Sequence, residues 1–129
     1  MLDEIKPLAD KVLANLMKDH YPSWYKKYIS VKYSKKVKKL FQVFEMLAIN
    51  YNCVTEFHID LNDNGLYTIV PVSEWKEGHL IFPYLGLRLK LVKGQVVMFQ
   101  SNLLIHGNSP IQGVCFFIVF FSHKNTFKN

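Results

Sequence analysis

Apolar residues recur at three- and four-residue intervals at the start of the chain: Leu2, Ile5, Leu8, Val12, Leu13, Leu16 and Met17. That is the period of an amphipathic helix. Proline fits only the first turn of a helix, so the regular helix is expected to start near Pro7 and to end near Tyr21-Pro22. A second, short helix is expected from Ser34, a candidate N-cap, to Val43. Beyond residue 43 the texture becomes that of strands. Short β-rich runs follow at Phe44–Asn50, Val54–Asp60, Leu66–Val72, His79–Phe82, Leu87–Val92, Val96–Gln100, Leu104–His106 and Val114–Phe121. Turn-forming stretches separate them, and Lys76-Glu77-Gly78 and Lys93-Gly94 suit tight hairpins. No connection is long enough for a crossover helix, which excludes a parallel α/β sheet. The pattern predicts a mainly β fold, a jelly roll or small barrel over 44–122, with helical support from 1–43.

With 129 residues, half of them hydrophobic and 15% aromatic, the chain suits one domain with a buried core. The longest apolar run, Val114 to Phe121, is strand length and far short of the roughly 18–20 residues of a membrane span. The opening Met1-Leu2-Asp3-Glu4-Ile5-Lys6 is too acidic and too amphipathic for a secretory signal, and two cysteines, Cys53 and Cys115, make neither a disulfide framework nor a zinc site. An intracellular location, nucleus or cytoplasm, is expected.

Charge changes this picture in one place. The net charge is +6, fifteen of the sixteen basic residues are lysine, and seven lysines lie in the acid-free stretch Lys26 to Lys39. That stretch is either a solvated helix face or a phosphate-attracting patch whose neighbours Trp24, Tyr25, Tyr28 and Tyr33 suit nucleic acid. The absence of arginine there argues against bidentate reading of bases.

The candidate chemistry is sparse. Along a strand His58 and Asp60 would point to one side together with Glu56, while Phe57 and Ile59 pack on the other. Alone, a His-x-Asp is more often a surface or structural pair than a metal site. His106, after an apolar run and before Gly107-Asn108-Ser109-Pro110, would alone suit a satisfied histidine at a strand end. Together, two histidines and one carboxylate, the first pair at i, i+2 and the third from a distant strand, compose the facial triad of non-haem Fe(II) oxygenases. His20, at a helix end, His79, expected to face solvent, and His123, past the last strand, fit less well. No Ser-His-Asp arrangement, phosphate loop, Cys-x-x-Cys or HExxH helix is present.

Three stretches carry a resemblance. Ala48-Ile49-Asn50-Tyr51-Asn52 leads to His58-Ile59-Asp60; Gly78-His79-Leu80-Ile81-Phe82-Pro83-Tyr84-Leu85-Gly86 follows; and Lys93-Gly94-Gln95-Val96-Val97-Met98-Phe99-Gln100-Ser101-Asn102 precedes His106-Gly107-Asn108. In order and spacing, Phe44 to Phe121 resembles the double-stranded β-helix dioxygenases that use Fe(II) and 2-oxoglutarate, and above all the Tet/J-binding-protein group with its short fungal members. The resemblance implies His58, Asp60 and His106 as Fe(II) ligands and Asn50 as a cosubstrate contact, although Asn50 also reads as a strand-edge asparagine satisfying backbone. It implies hydroxylation or oxidative demethylation of a substrate C–H, with a methylated nucleobase as the family's substrate class; the charge pattern, not the resemblance, offers Lys35, Lys36, Lys38 and Lys39 as the contact to nucleic acid.

One departure stands out. Relatives hold the distal carboxylate of 2-oxoglutarate with an arginine near the start of the last strand, followed two positions later by a small hydroxyl residue. Here Cys115 and Phe117 stand at those places. A bidentate arginine–carboxylate pair is hard to replace. Arg88, Lys90 or Lys76 could substitute, the cosubstrate could differ, or turnover could be lost. The alternatives to an active 2-oxoglutarate enzyme are therefore a degenerate relative that binds nucleic acid or protein through Lys26–Lys39, and a cupin-like metal enzyme without 2-oxoglutarate, which would lack the usual His-x-His.

Overall fold

Ile5, Ala9, Leu13 and Met17, each four residues after the last, are all buried and form the inner stripe of the N-terminal helical segment. In the computed structural model, which describes residues 2–31, 41–44, 46–51, 55–112 and 114–124, this segment opens with α1 (Leu2–Pro7). A π-helical turn, Leu8–Leu13, follows, and then α2 (Ala14–His20). The helix thus starts before Pro7, contrary to the sequence expectation. Proline lacks an N–H and crowds the carbonyl four residues back, so the α ladder breaks there and the wider turn absorbs the break. The wider turn keeps four-spaced residues aligned and leaves Val12, expected inside, 47% exposed.

α3 (Pro22–Ser30) has no counterpart in the sequence reading. Pro22, a stop signal by sequence, occupies its first turn, where a missing N–H costs nothing. Trp24 and Tyr28 lie 6.2 Å apart on one face, with the Lys27 ammonium 4.5 Å over the Trp24 ring. The expected helix from Ser34 lies mostly outside the described residues, as do Lys35, Lys36, Lys38 and Lys39, and Phe41–Val43 are bends rather than helix. The chain divides into two compact units, residues 1–45 with 123–129, and 46–122.

Among the described residues the second unit holds nine strands: β1 (Met46–Tyr51), β2 (Tyr67–Pro71), β3 (Lys76–Glu77), β4 (Leu80–Phe82), β5 (Leu87–Leu89), β6 (Val97–Phe99), β7 (Gly107–Asn108), β8 (Ile111–Gln112) and β9 (Phe116–Phe121). They form an antiparallel sheet in the order β1-β9-β2-β6, a second in the order β5-β4-β7, and the pair β3-β8. This is a mainly β, jelly-roll arrangement. β9 is paired on both edges, and its run Phe116-Phe117-Ile118-Val119-Phe120-Phe121 is apolar on both faces. One face, Cys115, Phe117, Val119 and Phe121, joins the core formed by Ile69, Trp75, Leu80, Phe82, Leu91 and Phe99.

Three strand expectations change. Val54–Asp60 contains no regular strand among the described residues, only an isolated bridge at His58. Leu104–His106 is a bend followed by a bridge at His106, just before β7. Lys76-Glu77-Gly78 is not a hairpin turn, because Lys76 and Glu77 pair with Gln112 and Ile111. Strands of two residues carry no period of their own; the partner across the ladder decides them. Lys93-Gly94 does turn, with Gly94 at φ +89°, but it closes no hairpin, because β5 pairs with β4 and β6 pairs with β2 in the other sheet.

Candidate metal centre

Two backbone hydrogen bonds bring the histidines together. His58 N–H donates to the His106 carbonyl at 3.0 Å, and His106 N–H donates to the His58 carbonyl at 3.1 Å. The ring centroids lie 4.4 Å apart. This approach depends on Gly107: a Cβ there would meet the Phe57 side chain at 2.8 Å and the Thr55 carbonyl at 2.9 Å. Asn108 extends the clamp, donating its N–H to the Thr55 carbonyl at 3.1 Å and accepting the Thr55 N–H on its side chain. Asp60 is fixed from the other side. Its N–H donates to the Ser101 carbonyl at 3.1 Å, its carbonyl accepts from Asp63 N–H at 3.1 Å, and the Ser101 hydroxyl bonds its carboxylate.

The same local contact sets both imidazoles. His58 Nδ1 lies 2.8 Å from the Glu56 carbonyl, and His106 Nδ1 lies 2.8 Å from the Leu104 carbonyl, two residues back in each case. A carbonyl only accepts, so each Nδ1 carries a proton, and the neutral ring then presents the lone pair of Nε2. His58 Nε2 stands 3.1 Å from Asp60 Oδ1, and His106 Nε2 stands 3.5 Å from Asp60 Oδ2. Electron-rich atoms so close repel unless a proton or a cation lies among them. His106 Nε2 is buried without a hydrogen-bond partner, and a metal ion bound at the cluster would satisfy it. The ligand atoms of the three residues all lie within 4.8 Å of one another, and among the described residues no other His, Cys, Asp or Glu group is so arranged. Two imidazoles and a carboxylate on one side suit a divalent transition metal that keeps open positions, Fe(II) included.

Burial grades the site. The His106 side chain is 5% exposed, Asp60 23% and His58 37%. Phe99 meets the His106 ring edge-on at 4.9 Å, and Tyr67 and Phe82 lie at 5.9 and 6.4 Å. Burial raises the Asp60 carboxyl most strongly, yet His106 and His58, when their rings carry the second proton, and Ser101 together outweigh it and hold the group below the usual carboxylate range. Tyr67 is pushed far up by burial and then by the charges of Asp60 and Asp63, so its phenol keeps its proton.

A cavity of about 150 Å³ opens beside the triad. Asn50, Cys115 and Phe117, singled out from the sequence, all line it, and Asn50 sits opposite Phe117 in the β1–β9 register. Among the described residues no lysine or arginine lines it. Arg88 is exposed, 3.7 Å from Glu77 and 3.3 Å from His79 Nδ1. The His79 side chain is 21% exposed and so does not face solvent, contrary to expectation. Lys76 and Lys90 line a separate cavity of about 340 Å³ that shares only Trp75 and Leu91 with the first. The Glu56 side chain is exposed and stands outside the cluster; its carbonyl, not its carboxylate, serves the site. The sequence reading missed Tyr67, Trp75 and the roles of Ser101 and Gly107, whose positions become meaningful only once the segments are paired.

Because Gly107 sets the distance between the two histidine segments, Gly107→Ala should push 55–57 away and weaken divalent-metal affinity by about 10–100-fold, the usual effect of disturbing what orients a ligand. Isothermal titration with Mn(II) checks this. Unchanged affinity would mean that the close approach at Gly107 does not hold the triad.

Comparison with known proteins agrees with this geometry. Residues 1–124 match the Tet_JBP family, described as the oxygenase domain of the 2OGFeDO superfamily. No curated protein sequence matches the chain. Among solved structures, NgTET1 in complex with 5mC DNA superposes with a TM-score of 0.84 at 16% identity, over 98% of this chain and 52% of that one. The viral collagen prolyl hydroxylase vCPH from Paramecium Bursaria Chlorella virus-1, in its 2OG complex, gives 0.59 at 17% identity, over 86% of this chain and 70% of that one. The chain thus spans about half the length of NgTET1. At such identities the likeness concerns the fold, which is the double-stranded β-helix of 2-oxoglutarate oxygenases. The family match covers nearly the whole chain, and the chain belongs to the Tet/J-binding-protein family of Fe(II)- and 2-oxoglutarate-using oxygenase domains.

Proposed function

We propose that this protein is an Fe(II)-dependent oxygenase that couples oxidative decarboxylation of a 2-oxo acid to hydroxylation, or oxidative demethylation, of a substrate C–H bond. The observation that carries this reading is the convergence of His58 Nε2, His106 Nε2 and the Asp60 carboxylate, with both Nδ1 atoms already committed to backbone carbonyls. Fe(II) held there would supply the redox chemistry that divides O2 between oxo acid and substrate. The protein's part is positional. Ser101 and the His58–His106 bridge orient the ligands before metal arrives. Phe82, Phe99 and Tyr67 keep water from the His106 side, and the Tyr67 phenol stays a neutral donor rather than a competing anion. Asn50, Thr55 and Asn108 give the cavity its polar edge.

We take the substrate class to be a methylated nucleobase in nucleic acid. NgTET1, which shares the fold, is seen with 5mC DNA, and this chain carries its own acid-free lysine stretch from Lys26 to Lys39. The second reading is a relative without turnover that binds nucleic acid or protein through that stretch; the absence of a cation from the described cavity lining is the observation in its favour.

Metal stoichiometry tests the centre. One divalent ion per chain is expected, abolished by His58→Ala, severely weakened by Asp60→Ala, and retained in His20→Ala, His79→Ala and His123→Ala. Unchanged stoichiometry in a His58→Ala/His106→Ala double variant would sink the assignment.

Salt tests the partner. Binding to methylated DNA should fall steeply with ionic strength, and replacing Lys35, Lys36, Lys38 and Lys39 by glutamine should flatten the slope by roughly one unit for each phosphate no longer neutralised. Salt-insensitive binding, or none at low salt, would leave the lysines as a solvated surface.

A further inference from the structure

Among the described residues, the lining of the cavity beside the triad offers no cation. Resting on the oxygenase reading above, we propose that this cavity selects 2-oxo acids with an uncharged tail over the dicarboxylate 2-oxoglutarate. The oxo-acid end would lie at the triad. The tail must then enter a space walled by Ile69, Trp75, Leu80, Leu91, Cys115 and Phe117. These walls are well buried: Ile69 is 4% exposed, Trp75 7%, Leu80 4%, Leu91 5% and Cys115 1%. A carboxylate carried in there gives up its hydration and gains no ion pair.

Among the described residues no nearby cation repairs this. Lys76, Lys90 and Lys93 line the neighbouring cavity, and Trp75 and Leu91 are the wall between the two. Arg88 is engaged outside with Glu77 and His79. Residues 52–54 and 113, next to lining residues in the chain, are Asn, Cys, Val and Gly, so none brings a positive charge. The Trp75 indole N–H is a buried donor on this wall without a hydrogen-bond partner. A neutral donor can hold an uncharged oxygen, but it cannot balance a full negative charge. An apolar or weakly polar tail, by contrast, exchanges water for Phe117, Leu80 and Ile69 at a gain.

The reaction closes with such an acid as it does with 2-oxoglutarate. The C1–C2 bond of the oxo acid breaks, and C1 leaves as CO2. One atom of O2 completes the carboxylate of the shortened acid, and the other enters the substrate C–H bond as hydroxyl. The oxo acid and the substrate each give up two electrons, and O2 takes up four.

The test compares 2-oxoglutarate with 5-methyl-2-oxohexanoate, in which an isopropyl group replaces the distal carboxylate. The protein is loaded with Fe(II) without oxygen, and each acid is titrated while the visible charge-transfer absorption is followed. We expect the isopropyl acid to bind at least tenfold more tightly, and the preference to reverse in Cys115→Arg/Phe117→Ser. Equal or tighter binding of 2-oxoglutarate by the unmodified protein would overturn the inference while leaving the oxygenase reading intact. Fe(II) bound with no absorption from either acid would overturn it too. Failure to bind Fe(II) at all would overturn the oxygenase reading itself. If the double variant does not fold, the comparison on the unmodified protein decides alone.

Discussion

The antiparallel bridge between His58 and His106 is the contact on which the rest of the site depends. It is short, two backbone hydrogen bonds with no regular strand among the described residues on the His58 side. Yet it fixes the separation of two imidazoles, and the turn after it delivers Asp60 to Ser101. Gly107 permits it by leaving room for Phe57 and the Thr55 carbonyl. The i−2 carbonyls of Glu56 and Leu104 then hold both rings with Nε2 inward. Backbone geometry, with the Ser101 hydroxyl on the Asp60 carboxylate, thus prepares a three-ligand face before any ion is considered.

Packing gives that face two different surroundings. Aromatic rings from β2, β4 and β6 enclose His106, so its lone pair is desolvated and strongly favours a partner. His58 and Asp60 stay partly open, which is the side from which substrate and O2 can come. Behind them, beyond the polar edge of Asn50, Thr55 and Asn108, the inner wall of the cavity is apolar, because the inward residues at β9 are Cys115 and Phe117 and because Trp75 and Leu91 seal off the lysine-lined space. Metal affinity and cosubstrate choice are therefore governed by separate parts of the barrel, and one can change without the other.

Much of this is legible in the sequence, for reasons that differ by residue. The β-rich second part declares itself through β9 and β2, whose apolar runs are long enough to carry a signal. His58, Asp60 and His106 stand out by residue type and spacing, Asn50, Cys115 and Phe117 only through the family resemblance, and the fold does bring all six to one cavity and its triad. What escapes is set by contacts across the chain. α3 is hidden because Pro22 reads equally as a stop or a first turn, and the π-turn after Pro7 has no sequence period that announces it. β3 and β8 are two residues each and exist only as partners of one another. Tyr67, Trp75 and Ser101 look like ordinary core and turn residues until the sheet pairs them with the triad.

The central claim is that the imidazoles of His58 and His106 are preset to present Nε2 to a metal. Long-range 1H–15N correlation of the histidine rings, recorded on the metal-free protein at mildly alkaline pH and again with Zn(II), tests it most directly. Two of the five histidines, His58 and His106, should carry their proton on Nδ1 before metal is added. Only their Nε2 resonances should then move when it binds. Either ring with its proton on Nε2 in the metal-free protein, or metal-induced shifts at His20, His79 or His123 instead, would contradict it.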